Sequence, residues 1–137
     1  MRRVRTGSEC TISRCTVRSN VGDGINVFGS CLVLNNACSL NGNGAGDGAG
    51  IHATIGGSDN RIEGNNCIGA DRGIDVDAAG NIIIRNTASG NTTNYVIVAN
   101  NVFGAIVDRT APASAAVSGN TAASSAGTTD PWANFSY

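Results

Sequence analysis

The sequence predicts an all-β solenoid, a parallel β-helix of about four to five short coils with ~21 residues per coil, followed by an extended C-terminal tail. Three observations lead there. A six-residue template, Cys or Asn, any residue, Ile or Val, two more, then Cys or Asn, recurs as C-T-I-S-R-C (10–15), C-L-V-L-N-N (31–36), N-R-I-E-G-N (60–65) and N-I-I-I-R-N (81–86), with starts 21, 29 and 21 residues apart. The apolar positions alternate by two and lack the i, i+3, i+4 pattern of a helix. Nineteen glycines and many asparagines supply residues that tolerate left-handed turns.

The register continues beyond each hexad. Val17, Cys38, Cys67 and Ala88 form the next apolar row, and G-I-N-V (24–27), G-I-H-A (50–53), G-I-D-V (73–76) and N-Y-V-I (94–97) close each coil. Three short strands and three turns per coil then stack at about 4.8 Å. Four inward ladders are expected: Ile12, Val33, Ile62 and Ile83; Val17, Cys38, Cys67 and Ala88; Ile25, Ile51, Ile74 and Tyr95; Val27, Ala53, Val76 and Ile97. Asn36, Asn65 and Asn86, with Cys15 in the first coil, share one turn phase, where stacked carboxamides can hydrogen-bond from coil to coil.

The single long interval is filled by N-G-N-G-A-G-D-G-A-G (41–50), an insertion expected to loop out on one side. It lacks the Lys-Ser/Thr of a phosphate loop, and its one carboxylate, Asp47, makes a poor hard-cation site. A fifth, partial coil covers 101–108. The chain thus divides into a β-helix over 1–109 and, over 110–137, a low-complexity Ala/Ser/Thr/Gly connector ending in a tail with Trp132, Phe135 and Tyr137. An open solenoid end exposes apolar side chains and strand edges, so the tail is expected to fold back as a cap or dock on a neighbouring subunit.

Composition narrows the functional classes. Net charge is −1 and all nine basic residues are scattered arginines, which gives no nucleic-acid footprint. No apolar run approaches the roughly 20 residues of a membrane span, and no signal peptide is visible. Five cysteines without a C-x-x-C pair argue against a complete disulfide framework and a zinc site, and no cofactor motif or metal site is read. The cysteines are expected as small buried core residues.

The G-I-x-V strands, N-x-I-x-x-N hexads and Gly/Asn turns over residues 8–108 resemble the right-handed parallel β-helix superfamily, which includes pectate-lyase-like enzymes and periplasmic copper-processing-type β-helix repeats. The resemblance implies an extracellular or surface setting and a polysaccharide partner. No G-H-G, D-P-H-D or R-x-P-x-x-R catalytic signature of that group is present.

With this register, Asn26, His52, Asp75 and Val96 form one outward row and Phe28, Thr54, Asp77 and Val98 the next. His52, Asp75 and Asp77 therefore meet on adjacent coils, a candidate catalytic set in which Asp75 would hold or deprotonate, His52 would act as general acid or base, and Asp77 would bind a cation or a sugar hydroxyl. Candidate binding residues are Asn26, Arg61, Glu63, Arg72 and Arg85, with Asp71 and Arg72 read as a solvated turn. The favoured reading is a non-catalytic structural or carbohydrate-binding module, self-associating through a solenoid end or the tail, or the C-terminal part of a larger surface protein. The alternatives are a small or truncated polysaccharide lyase, hydrolase or epimerase using the His/Asp cluster, and a solenoid that only assembles.

Overall fold

The computed structural model describes residues 4–44, 47–110 and 128–137. These hold sixteen short strands and no helix, arranged in three parallel sheets. The first sheet stacks β1 (Val4–Arg5), β4 (Ile25–Val27), β7 (Ala49–Ala53), β10 (Arg72–Val76) and β13 (Thr93–Ile97) in that order. The second stacks β2 (Thr11–Ser13), β5 (Leu32–Leu34), β8 (Arg61–Glu63), β11 (Ile82–Ile84) and β14 (Val102–Phe103). The third stacks β3 (Thr16–Arg18), β6 (Ala37–Ser39), β9 (Asn66–Ile68), β12 (Thr87–Ser89), β16 (Asn134–Ser136) and β15 (Ile106–Asp108).

Pairing follows the register read from the sequence. Ile12, Val33, Ile62 and Ile83 are stacked partners, as are Val17, Cys38, Cys67 and Ala88. Ile25, Ile51, Ile74 and Tyr95 form the third ladder, and Val27, Ala53, Val76 and Ile97 the fourth. All these side chains are buried except Tyr95 and Ile97, which are half-buried at the last coil. Each buried Ile or Val rung contributes about 1.5–3 kcal/mol. Three thiols are fully enclosed, Cys31, Cys38 and Cys67, while Cys10 and Cys15 are half-buried. Cys10 Sγ lies 2.7 Å from Cys31 Sγ, and its neighbour Cys38 together with burial pushes the Cys67 thiol well up.

The corners explain the asparagines. One residue in the left-handed region separates the second-sheet strand from the third-sheet strand: Arg14 (φ 55), Asn35 (φ 55), Gly64 (φ 68) and Arg85 (φ 57). The residue that follows it carries the ladder. Asn36 Oδ1 accepts from Cys15 N (3.0 Å), Asn65 Oδ1 from Asn36 N (2.9 Å) and Asn86 Oδ1 from Asn65 N (2.9 Å). Their Nδ2 groups donate to Ile12, Val33 and Ile62 carbonyls one coil away. A second ladder runs through Asn60, Asn81 and Asn101 at another corner, and a third uses Asn41 and Asn91. Buried polar groups that would otherwise be orphaned are satisfied in this way.

The expected connector falls largely on 111–127, outside the described residues. The last strand lies inside the stack: β16 pairs with β12 on one side and β15 on the other. Asn134 extends the first asparagine ladder, with Oδ1 accepting from Asn86 N (3.0 Å) and Nδ2 donating to Ile83 O (3.1 Å). Gly104 admits this return, since a Cβ there would overlap the Trp132 carbonyl oxygen. Tyr95 Oη lies 2.9 Å from Asn86 O and 2.8 Å from Phe135 O, tying the returning strand to the core. Tyr95→Phe is expected to cost about 1 kcal/mol, the net worth of one such bond. An unchanged urea midpoint would show that the hydroxyl contributes nothing.

Candidate functional site

The strand register assembles the site. Asn26, His52 and Asp75 are direct partners on β4, β7 and β10, each between two inward aliphatic residues, so their side chains leave the outer face of the first sheet. Asp77 follows β10 and returns to the same spot. Asp23, which the sequence reading passed over, comes up from the turn before β4.

His52 sits between two carboxylates. Its Nδ1 is 3.2 Å from Asp23 Oδ2 and its Nε2 is 3.1 Å from Asp77 Oδ2. Asp23 also accepts from Ala49 N through Oδ1 (3.0 Å) and from Asn26 Nδ2 through Oδ2 (2.8 Å). The hydrogen bond to Asp23 lifts the imidazole against the opposing pull of burial, and Asp77 adds to it, to about 9. Burial would raise the Asp23 carboxyl, but hydrogen bonds from His52, Ala49 and Asn26 outweigh it and hold the group at about 2. At neutral pH the centre is an imidazolium with both N–H groups directed at carboxylates, and it carries no lone pair to take a proton.

Asp75 differs from the expectation of a free outer carboxylate: it is only 2 % exposed. Arg72 is the reason. It opens β10 rather than lying in a solvated turn, and its Nη1 folds onto Asp75 Oδ2 at 2.6 Å while Nη2 reaches Asp47 Oδ2 at 2.9 Å. Burial raises the Asp75 carboxyl above its ordinary value, with the Arg72 guanidinium pulling the other way. Asp75 Oδ1 is buried with no hydrogen-bond partner among the described residues. Asn26 is likewise covered, under Asp23.

The remaining sequence candidates form a second centre, on the second sheet. Arg61 Nε lies 2.7 Å from Glu63 Oε2, and Arg85 Nη1 lies 3.2 Å from Glu63 Oε1. Arg85 also donates through Nε to Pro131 O (3.1 Å), and its guanidinium sits 4.2 Å from the centroid of the Trp132 ring. Beside this network is a groove of about 360 Å³ lined by Arg61, Ile82, Val102, Phe103, Asp130 and Trp132. Phe103 and Trp132 remain about half exposed there.

The sequence thus brings His52, Asp75 and Asp77 together as expected, with Asn26 and Arg72 in the same cluster and Arg61, Glu63 and Arg85 in another. It gives no site role to Asp23 or Phe103, reads Asp47 only as a poor cation ligand, and reads Trp132 only as part of a capping tail. Carrying the strand register two residues towards the N-terminus aligns Ile25 with Ile51 and Ile74, and so sets Asp23 level with Ala49 and Arg72. That row was the available signal for Asp23. The place of Trp132 beside the second sheet had no such signal, because the tail returns across residues without the repeat.

No curated protein and no solved structure matches the chain. A family model described as "right handed beta helix region" matches residues 3–129, nearly the whole chain, and agrees with three parallel sheets of stacked short strands. The chain belongs to the right-handed β-helix family.

Proposed function

We propose that this β-helix is a non-catalytic saccharide-binding module whose binding groove lies on the second sheet between Phe103 and Trp132. The observation that carries the reading is the pairing of two half-exposed aromatic rings with charged hydrogen-bonding groups at one groove. A sugar ring presents an apolar C–H face to an aromatic platform and hydroxyls to its rim, and Trp is suited to that division of labour. Arg85 covers the Trp132 ring and, through Pro131 O, fixes the segment that carries it. Arg61 and Asp130 line the same groove and supply polar groups for sugar hydroxyls. The His52 centre favours binding over turnover, because both ring N–H groups are held by carboxylates.

Glycan-array screening followed by calorimetry tests the reading. Binding without turnover is expected, with Trp132→Ala and Phe103→Ala each weakening it at least tenfold; Phe103, on an exposed edge strand, is the variant less coupled to folding. Polysaccharide cleavage that disappears in folded His52→Ala protein would overturn it, as would undiminished binding in both aromatic variants.

A further inference from the structure

The cluster on the first sheet has the parts of a metal centre. One ligand atom each from His52, Asp75 and Asp77 lies within 4.8 Å of the other two. Ligand bonds of about 2.0–2.6 Å place donors to one ion no more than about 5 Å apart, so the three can share a cation after little or no contraction.

Two further features point to a ligand rather than to an acidic surface. Asp75 Oδ1 is buried and has no hydrogen-bond partner among the described residues, although the other oxygen of the same carboxylate is tied to Arg72 at 2.6 Å. A buried orphan oxygen is costly unless something positive meets it. Second, Asp23 already accepts from the Nδ1 side of His52 at 3.2 Å and is itself fixed by Ala49 N and Asn26 Nδ2. A carboxylate behind the distal ring nitrogen is what orients an imidazole whose other nitrogen ligates a metal. That other nitrogen, Nε2, faces Asp77 at 3.1 Å.

We propose that His52 Nε2, Asp75 Oδ1 and an Asp77 carboxylate oxygen bind one first-row divalent transition-metal ion, with Asp23 as the residue that positions His52. One imidazole and two carboxylates favour Mn²⁺ or Zn²⁺ over Mg²⁺ and Ca²⁺, which take oxygen alone. Binding exchanges the Nε2 proton for the cation and leaves the Nδ1–H on Asp23, so one proton is released for each ion bound. Arg72 stays on Asp75 Oδ2 and offsets part of the carboxylate charge. The centre lies on a different sheet from the saccharide groove and does not depend on it.

Manganese is the probe of choice, since it has little affinity for the five thiols. Titration of Mn²⁺ into chelator-stripped protein, followed by electron paramagnetic resonance and calorimetry, should give one saturable site per chain that Zn²⁺ displaces and equimolar Mg²⁺ does not. Asp77→Asn and His52→Gln, each checked for folding by circular dichroism, should weaken Mn²⁺ at least tenfold. Asp108→Asn, an exposed carboxylate elsewhere, and Trp132→Ala should leave the affinity unchanged. Absence of saturable binding, or equal affinity in the wild type and both site variants, would overturn the assignment.

Discussion

Asn65→Ala should lower stability by about 3–5 kcal/mol, while Asn66→Ala, one residue away, should cost under about 1 kcal/mol. The two asparagines face opposite ways. Asn65 is 1 % exposed; its Oδ1 accepts from both the backbone N–H and the side-chain Nδ2 of Asn36, and its Nδ2 donates to Val33 O. Removing the carboxamide strands two donors and one acceptor in the interior, each costing roughly 1–3 kcal/mol when unsatisfied, with some relief from relaxation. Asn66 faces outwards on β9, and among the described residues its side chain hydrogen-bonds only Thr87 Oγ1, at 2.9 Å, a bond that water can replace. Urea denaturation followed by circular dichroism decides the matter. Because coils contact only their neighbours, the Asn65 variant should also broaden the transition as the coils on either side of the defect uncouple. Equal losses in the two variants would show that ladder hydrogen bonds are not what holds these corners.

The second large effect concerns pH. In chelator-treated protein, the His52 ion pair should contribute up to about 3 kcal/mol of stability below about pH 6.5, lost as pH rises through 9. The sign follows from the direction of each shift. His52 is raised from 6.5 to about 9 in the folded chain, so the folded state holds its proton more tightly than the unfolded chain does. Its contribution is complete below about 6.5 and lost as pH passes 9. Asp23 is lowered to about 2, so its contribution is present above its ordinary value near 3.8 and lost as pH falls through 2. Both shifts describe one ion pair and do not add. The groups facing the imidazole are Asp23, Asp77 and, one step away, Asp75 with its Arg72 partner. Urea midpoints at pH 6 and 8, below the range in which unfolded thiols ionise, should differ in the wild type and scarcely at all in His52→Gln. A slope of the same size in that variant would place the titration elsewhere.

What the sequence made legible was whatever repeats. Ile12, Val33, Ile62 and Ile83 announce their register because each coil solves the same packing problem with the same kind of residue, and the Asn36, Asn65 and Asn86 corner is fixed by the same demand. The meeting of His52 with Asp75 and Asp77 followed from that register alone. Burial of Asp75 did not, because it depends on where the Arg72 side chain folds, and a guanidinium can reach either solvent or a carboxylate three residues on. Asn134 was beyond reach for a different reason. It completes a ladder with Asn86 at a separation of 48 residues, through a segment whose composition carries no period.

The position of β16 has a consequence for the order of assembly. β15 precedes it in the chain, yet touches the third sheet only through β16, which lies between β15 and β12. Strand addition along the rest of the solenoid can keep pace with synthesis, each new coil docking on the one before. Here that sequence is broken: residues 106–108 must wait until 134–136 have emerged and threaded into the gap. The last coil therefore closes by a long-range contact, which is slow to form, and until then the β12 edge stands open to the matching edge of another chain.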